Sequence, residues 1–171
     1  MTESTTTAAP TATTSQQIPV DVFRTALLST LDETFENVNG YLLDKGTSMF
    51  ETLATIDAAT ASKVFSSRAS NIAAQVNHTR FYLDVLLRGI QNGFDEKADW
   101  DGSWKVGEVN DQEWQELIDR LRASYAQVRA FAESNTAWNA DSIGGAFALV
   151  AHCAYHLGEI RQALAALQVP E

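Results

Sequence analysis

The chain has 171 residues, 45 % apolar and 20 % charged, with nine glycines and three prolines, which suits one globular domain with a full hydrophobic core. Twelve basic against 22 acidic residues leave a formal net charge of -10, a surface that repels nucleic acid and an anionic membrane leaflet alike. No apolar run approaches the ~20 residues that a bilayer span needs, and a single cysteine, Cys153, excludes an intramolecular disulfide.

The first stretch, MTESTTTAAPTATTSQQ, lacks the basic start and apolar core of a signal peptide. Its Thr, Ala and Ser cannot bury a core, so a flexible tail is expected over 1–17, a domain over 18–171, and a cytoplasmic location. A first helical block is expected from Val20 to Val38, with Phe23, Leu27, Leu31, Phe35 and Val38 spaced by three and four. Gly40 and Gly46 punctuate the chain, and Met49, Phe50, Leu53 and Ile56 then resume the pattern, as one interrupted helix or two consecutive ones. The second block runs from near Ser70 to Gln91 through Ile72, Val76, Thr79, Leu83, Leu86 and Ile90. A polar connector with Trp100 and Trp104 follows, long enough to return along a helix, which allows the second and third long helices to be parallel. Asn110 with Glu113 reads as a capping box opening the third helix, which aligns Trp114, Leu117, Leu121, Tyr125, Val128 and Phe131. Asp141 or Ser142 is expected to cap the fourth, which runs to Gln168 before Pro170. The sum is an all-α protein, a four-helix bundle with one long link between its second and third helices.

The chain has three histidines. His152 and His156 stand four apart in HCAYHLGEI, one above the other on a helix at roughly 6 Å. On a helical wheel they fall beside Leu149, Ile160 and Leu167, away from Ala151, Ala154, Gly158 and Arg161. His78, in QVNHTRFYL, falls on the arc of Gln75, Tyr82 and Leu86, opposite Arg80, Asp84 and Arg88. All three imidazoles are thus expected to face inward, and buried imidazoles need partners. Either each bonds separately to a backbone carbonyl or a neighbouring side chain, or one divalent ion serves all three; three neutral nitrogens would leave such an ion an open position, the catalytic rather than the closed structural pattern.

HCAYHLGEI, with VNHTRFYLDVL on an earlier helix, resembles the DinB/YfiT-like metalloenzyme superfamily over about residues 20 to 168. The resemblance implies an up-down-down-up four-helix bundle and a metal site of His78, His152 and His156. Many relatives carry Arg after the last histidine, where this chain has Leu157. The resemblance also implies transfer chemistry with a low-molecular-weight thiol such as mycothiol or bacillithiol, with hydrolysis by an activated water or a non-catalytic metal-binding bundle as alternatives. Nitrogen-rich ligation suits Zn or Ni, and also Fe or Co. Tyr82 either donates a proton or packs. Glu159 either orients an imidazole, acts as base, or is a solvated carboxylate, and Gln75 either reaches a metal-bound water or is a core amide. Cys153 is expected to pack rather than ligate, and Trp100 and Trp104 to anchor the connector or form a lid. Helix four carries few charges, and its side away from the histidines (Phe147, Ala151, Ala154, Gly158, Ala165) is expected to be covered, by a second subunit in a homodimer or by the segment Met49 to Ile56.

Overall fold

The computed structural model describes residues 17–67, 69–93 and 97–168; residues 1–16 of the expected tail, and Pro170, lie outside the described residues. The described residues are all-α, with no strand: α1 (Val20–Phe35), α2 (Met49–Leu53), α3 (Ala58–Ser62), α4 (Ile72–Asn92), α5 (Trp100–Ser103), α6 (Asp111–Ser134) and α7 (Ala140–Leu167). None of these helices is long and apolar enough to cross a membrane.

Helix α1 buries Leu27, Leu31 and Phe35 at four-residue spacing. It ends at Phe35, three residues short of the expected Val38, because Glu33 draws the following chain back across its end. The Glu33 side chain is 1 % exposed. Its carboxylate accepts the backbone N–H groups of Gly40, Tyr41, Leu42 and Leu43 at 2.8–3.2 Å. Burial opposes the charge, but these four donors outweigh it and hold the carboxyl below its ordinary value. Gly40 turns the chain with φ +83, a conformation that costs glycine little and other residues much. The next apolar stretch forms the short helices α2 and α3, with Asp57 capping α3 by accepting from the Thr60 N–H at 2.7 Å.

Helix α4 is capped by Asn71, one residue beyond the expected Ser70; its side chain accepts from the Ala74 N–H at 2.8 Å. The expected capping box opens α6: Asn110 accepts from the Glu113 N–H at 3.0 Å, and Glu113 accepts from the Asn110 N–H at 2.9 Å. The cap of α7 is Asn139, not Asp141 or Ser142. Asn139 accepts from the Ser142 N–H at 2.9 Å while its own N–H donates to the Ser142 hydroxyl at 2.8 Å, so Ser142 serves as the answering partner of a box.

Helix α4 packs on both α6 and α7, and α1 packs on the same two. Their shared core includes Leu31, Phe35, Leu83, Leu121, Leu157 and Ile160, each no more than 1 % exposed. The connector after α4 is fastened along it. Asn77 donates to the Ser103 carbonyl at 2.7 Å, and Asn71 to the Gly107 carbonyl at 2.9 Å. As the connector advances, its partners step back toward the start of α4, so α6 opens near the end where α4 begins. There the Trp114 indole donates to the Ile56 carbonyl at 2.8 Å, joining α6 to the link between α2 and α3.

Candidate metal centre

Helix α4 presents His78 from the same buried side as Gln75, Thr79 and Leu83, while Arg80 and Asp84 pair at 2.6 Å on its outer edge. Helix α7 presents His152 and His156 one turn apart, next to the core residues Leu149 and Ile160. Because α4 and α7 are packing partners, the three imidazoles converge. Ring centroids lie 5.3 Å (His78–His152), 4.9 Å (His78–His156) and 4.4 Å (His152–His156) apart. His78 and His156 are buried, at 6 % and 2 % exposure, and His152 is half-buried.

The spacing fits one ion. The Nε2 atoms of His152 and His156 are 3.1 Å apart. Two nitrogens on one tetrahedral zinc, each at about 2.0–2.1 Å, sit ~3.3 Å apart. One nitrogen from each of the three rings lies within 4.8 Å of the others. The rings are also supported from behind. His156 Nδ1 lies 2.7 Å from Gln75 Oε1 and 2.9 Å from Glu159 Oε2, both acceptors, so it carries the proton and leaves Nε2 free to ligate. His78 Nδ1 lies 2.7 Å from the Ser103 hydroxyl. Trp104 stacks on His78 at 3.9 Å between centroids, and Tyr82 on His152 at 3.6 Å, each within 17° of parallel.

These surroundings favour neutral, ligating imidazoles. Burial, then the neighbouring His156, brings His78 from 6.5 down to about 4. Burial, then His156 and His78, does the same to His152, also to about 4. Burial likewise lowers His156, with Glu159 pulling the other way. The Tyr82 hydroxyl is pushed up, by burial and then by Cys153, and stays protonated at neutral pH.

Of the residues read from the sequence, Gln75, Tyr82 and Glu159 all touch the histidine cluster. The Glu159 carboxylate is engaged on both oxygens, since Oε1 accepts from the Tyr155 hydroxyl at 2.7 Å. Cys153 is fully buried in the core, and its thiol is pushed far up by burial. Leu157 is 1 % exposed and belongs to the core. Trp104 packs on His78, and Trp100 stands 6.2 Å from it. Ser103 and Tyr155 carry no signal in the helical pattern; only the proximity of Ser103 to two tryptophans marked its neighbourhood. Beside the cluster a cleft of about 680 Å³ reaches His156 on the side of Gln75 and Glu159, with Phe65, Trp104 and Tyr155 in its walls.

Fold and cluster together define a class, the all-α proteins with an inward-facing three-histidine group that could hold a divalent ion. The family model of the DinB superfamily matches residues 42–160, a span that holds all three histidines, and the chain belongs to that superfamily. No curated protein and no solved structure matches it.

Proposed function

We propose that this chain is a metal-dependent enzyme of the thiol-transferase type, with His78, His152 and His156 as the ligands of one divalent ion, Zn or Ni first, Fe or Co next. The observation that carries the reading is the convergence of three inward imidazole nitrogens within 4.8 Å of one another in a DinB-superfamily chain. A divalent ion held there by neutral ligands would supply a Lewis acid able to lower the pKa of a low-molecular-weight thiol or of water. The chain's own groups do the positioning. Glu159 and Gln75 hold the His156 proton on Nδ1, and Tyr82 and Trp104 cover the faces of His152 and His78. Tyr82, protonated and stacked on His152, is the candidate proton donor to a substrate oxygen. Glu159, engaged on both oxygens, orients His156. The reading includes the up-down-down-up arrangement of α1, α4, α6 and α7, supported by the return of the connector along α4. It also includes a cytoplasmic protein, a small-molecule substrate and a homodimer formed across the outer side of α7.

Metal analysis of the purified chain and of His78→Ala, His152→Ala and His156→Ala tests the site. Bound divalent ion is expected to fall sharply in each variant, since two remaining nitrogens hold an ion weakly; full metal content in all three would overturn it. The loaded chain is then assayed with electrophiles, with and without low-molecular-weight thiols. Thiol-dependent transfer is expected. Thiol-independent turnover of esters or amides would replace the reading with hydrolysis, and no turnover at a saturated site would replace it with a non-catalytic metal-binding bundle.

A further inference from the structure

Ser103 sits at the end of α5, in the connector, far in sequence from all three histidines, yet it is 3 % exposed and 2.7 Å from His78 Nδ1. A serine hydroxyl has one proton to donate. Here that proton is spent on the Trp100 carbonyl, at 2.6 Å. What the Ser103 oxygen offers to His78 is therefore a lone pair, and the short contact requires the imidazole to bring the hydrogen. That places the His78 proton on Nδ1 and leaves the Nε2 lone pair free to ligate.

We propose that Ser103 is the positioning residue of His78: it selects the Nδ1–H tautomer and aims Nε2 into the cluster, making the connector helix α5 a working part of the site. The inference rests on the metal reading only for its consequence, not for its geometry. Further contacts fix the turn that carries the hydroxyl. Asn77, the neighbour of His78 in sequence, donates to the Ser103 carbonyl at 2.7 Å. Asp99 accepts from the Gly102 N–H at 2.9 Å and caps the single turn of α5. A side chain at Gly102 would meet that Asp99 carboxyl and push it out of its capping position. Trp104, which follows Ser103, lies flat on the His78 ring. A four-residue helix has no stability of its own, so these contacts hold it to α4. His156 achieves the same tautomer through Gln75 and Glu159 from within α4 and α7. His78 has no such partner on its own helix and takes one from the connector.

The test reads the tautomer in metal-free protein by long-range proton–nitrogen NMR of the histidine rings at neutral pH. In the wild type, His78 is expected as the Nδ1–H form, the minor form of a free imidazole in water. Finding Nε2–H there would overturn the proposal without any variant. Ser103→Ala is expected to shift His78 toward Nε2–H and to weaken Zn²⁺ or Ni²⁺ binding about 10–100-fold in competition with a chromophoric chelator. Ser103→Thr, which keeps the hydroxyl, is expected to restore both. An unchanged ring spectrum and unchanged affinity in Ser103→Ala would overturn the assignment. If the wild type shows Nδ1–H but binds neither ion, the tautomer assignment stands and the metal reading falls.

Discussion

Protonating His78 or His152 inside the fold is opposed by burial and by the other imidazoles, which is why both are brought from 6.5 to about 4. The unfolded chain has no such opposition. Between pH ~6.5 and ~4 it therefore binds more protons than the folded chain, and stability falls as pH is lowered through that window. Above it the contribution is constant. Glu33 acts in the same direction at lower pH: its carboxyl is held below the ordinary 4.5, so its contribution is present above that value and is lost as pH falls through its lowered pKa. The expected outcome for chelator-treated protein is a melting temperature that drops from pH ~6.5 toward ~4, with a shallower drop in His78→Asn. A melting temperature flat across that window would contradict the burial of neutral imidazoles. A bound ion steepens the same trend, because protonated imidazoles cannot ligate.

Helix α7 divides its two faces within adjacent residues, His156 into the cluster and Leu157 into the core at 1 % exposure. Leu157→Ala is expected to cost ~2–5 kcal/mol in denaturant unfolding, the usual cost of emptying a packed leucine site, and a loss under ~1 kcal/mol would remove that position from the core. The four long helices were legible in the sequence because each apolar stripe is summed over many residues, so no single position decides it. Caps were less so: Asn139, Asp141 and Ser142 are all cap formers, and the choice fell on the one with an answering side chain three residues on. The helices α3 and α5 are too short to show a stripe, whereas α2 was legible through Met49, Phe50 and Leu53. The pairing of His152 with His156 is local and was visible at once, and the placing of His78 opposite them followed from its helical arc. Ser103 and Tyr155 act through contacts made only after the chain folds, Ser103 on α4 from the connector and Tyr155 on a carboxylate whose role the pattern left open.

At the scale of the whole molecule, the described residues leave the outer side of α7 open. Phe147 is 67 % exposed, and Ala151, Gly158 and Ala165 are exposed as well. The α2 segment touches this helix through Arg161, which donates to the Thr52 hydroxyl at 3.3 Å, but it leaves those residues uncovered. Sedimentation equilibrium is expected to find a wild-type dimer at micromolar concentration and a monomeric Ala154→Arg variant, since a guanidinium there would block close helix approach. A monomeric wild type ends the dimer proposal. The stack of Trp104 on His78 has a consequence of another kind. Of the four tryptophans in the chain, Trp104 is the one whose indole lies flat on an imidazole of the cluster, 3.9 Å between centroids. An indole so placed is a built-in chromophore: its excited state feels any charge set on that imidazole, and an open-shell ion offers it a quenching route that a filled-shell ion does not. An ion bound among these histidines would thus announce itself in the tryptophan emission of the protein, with no dye attached.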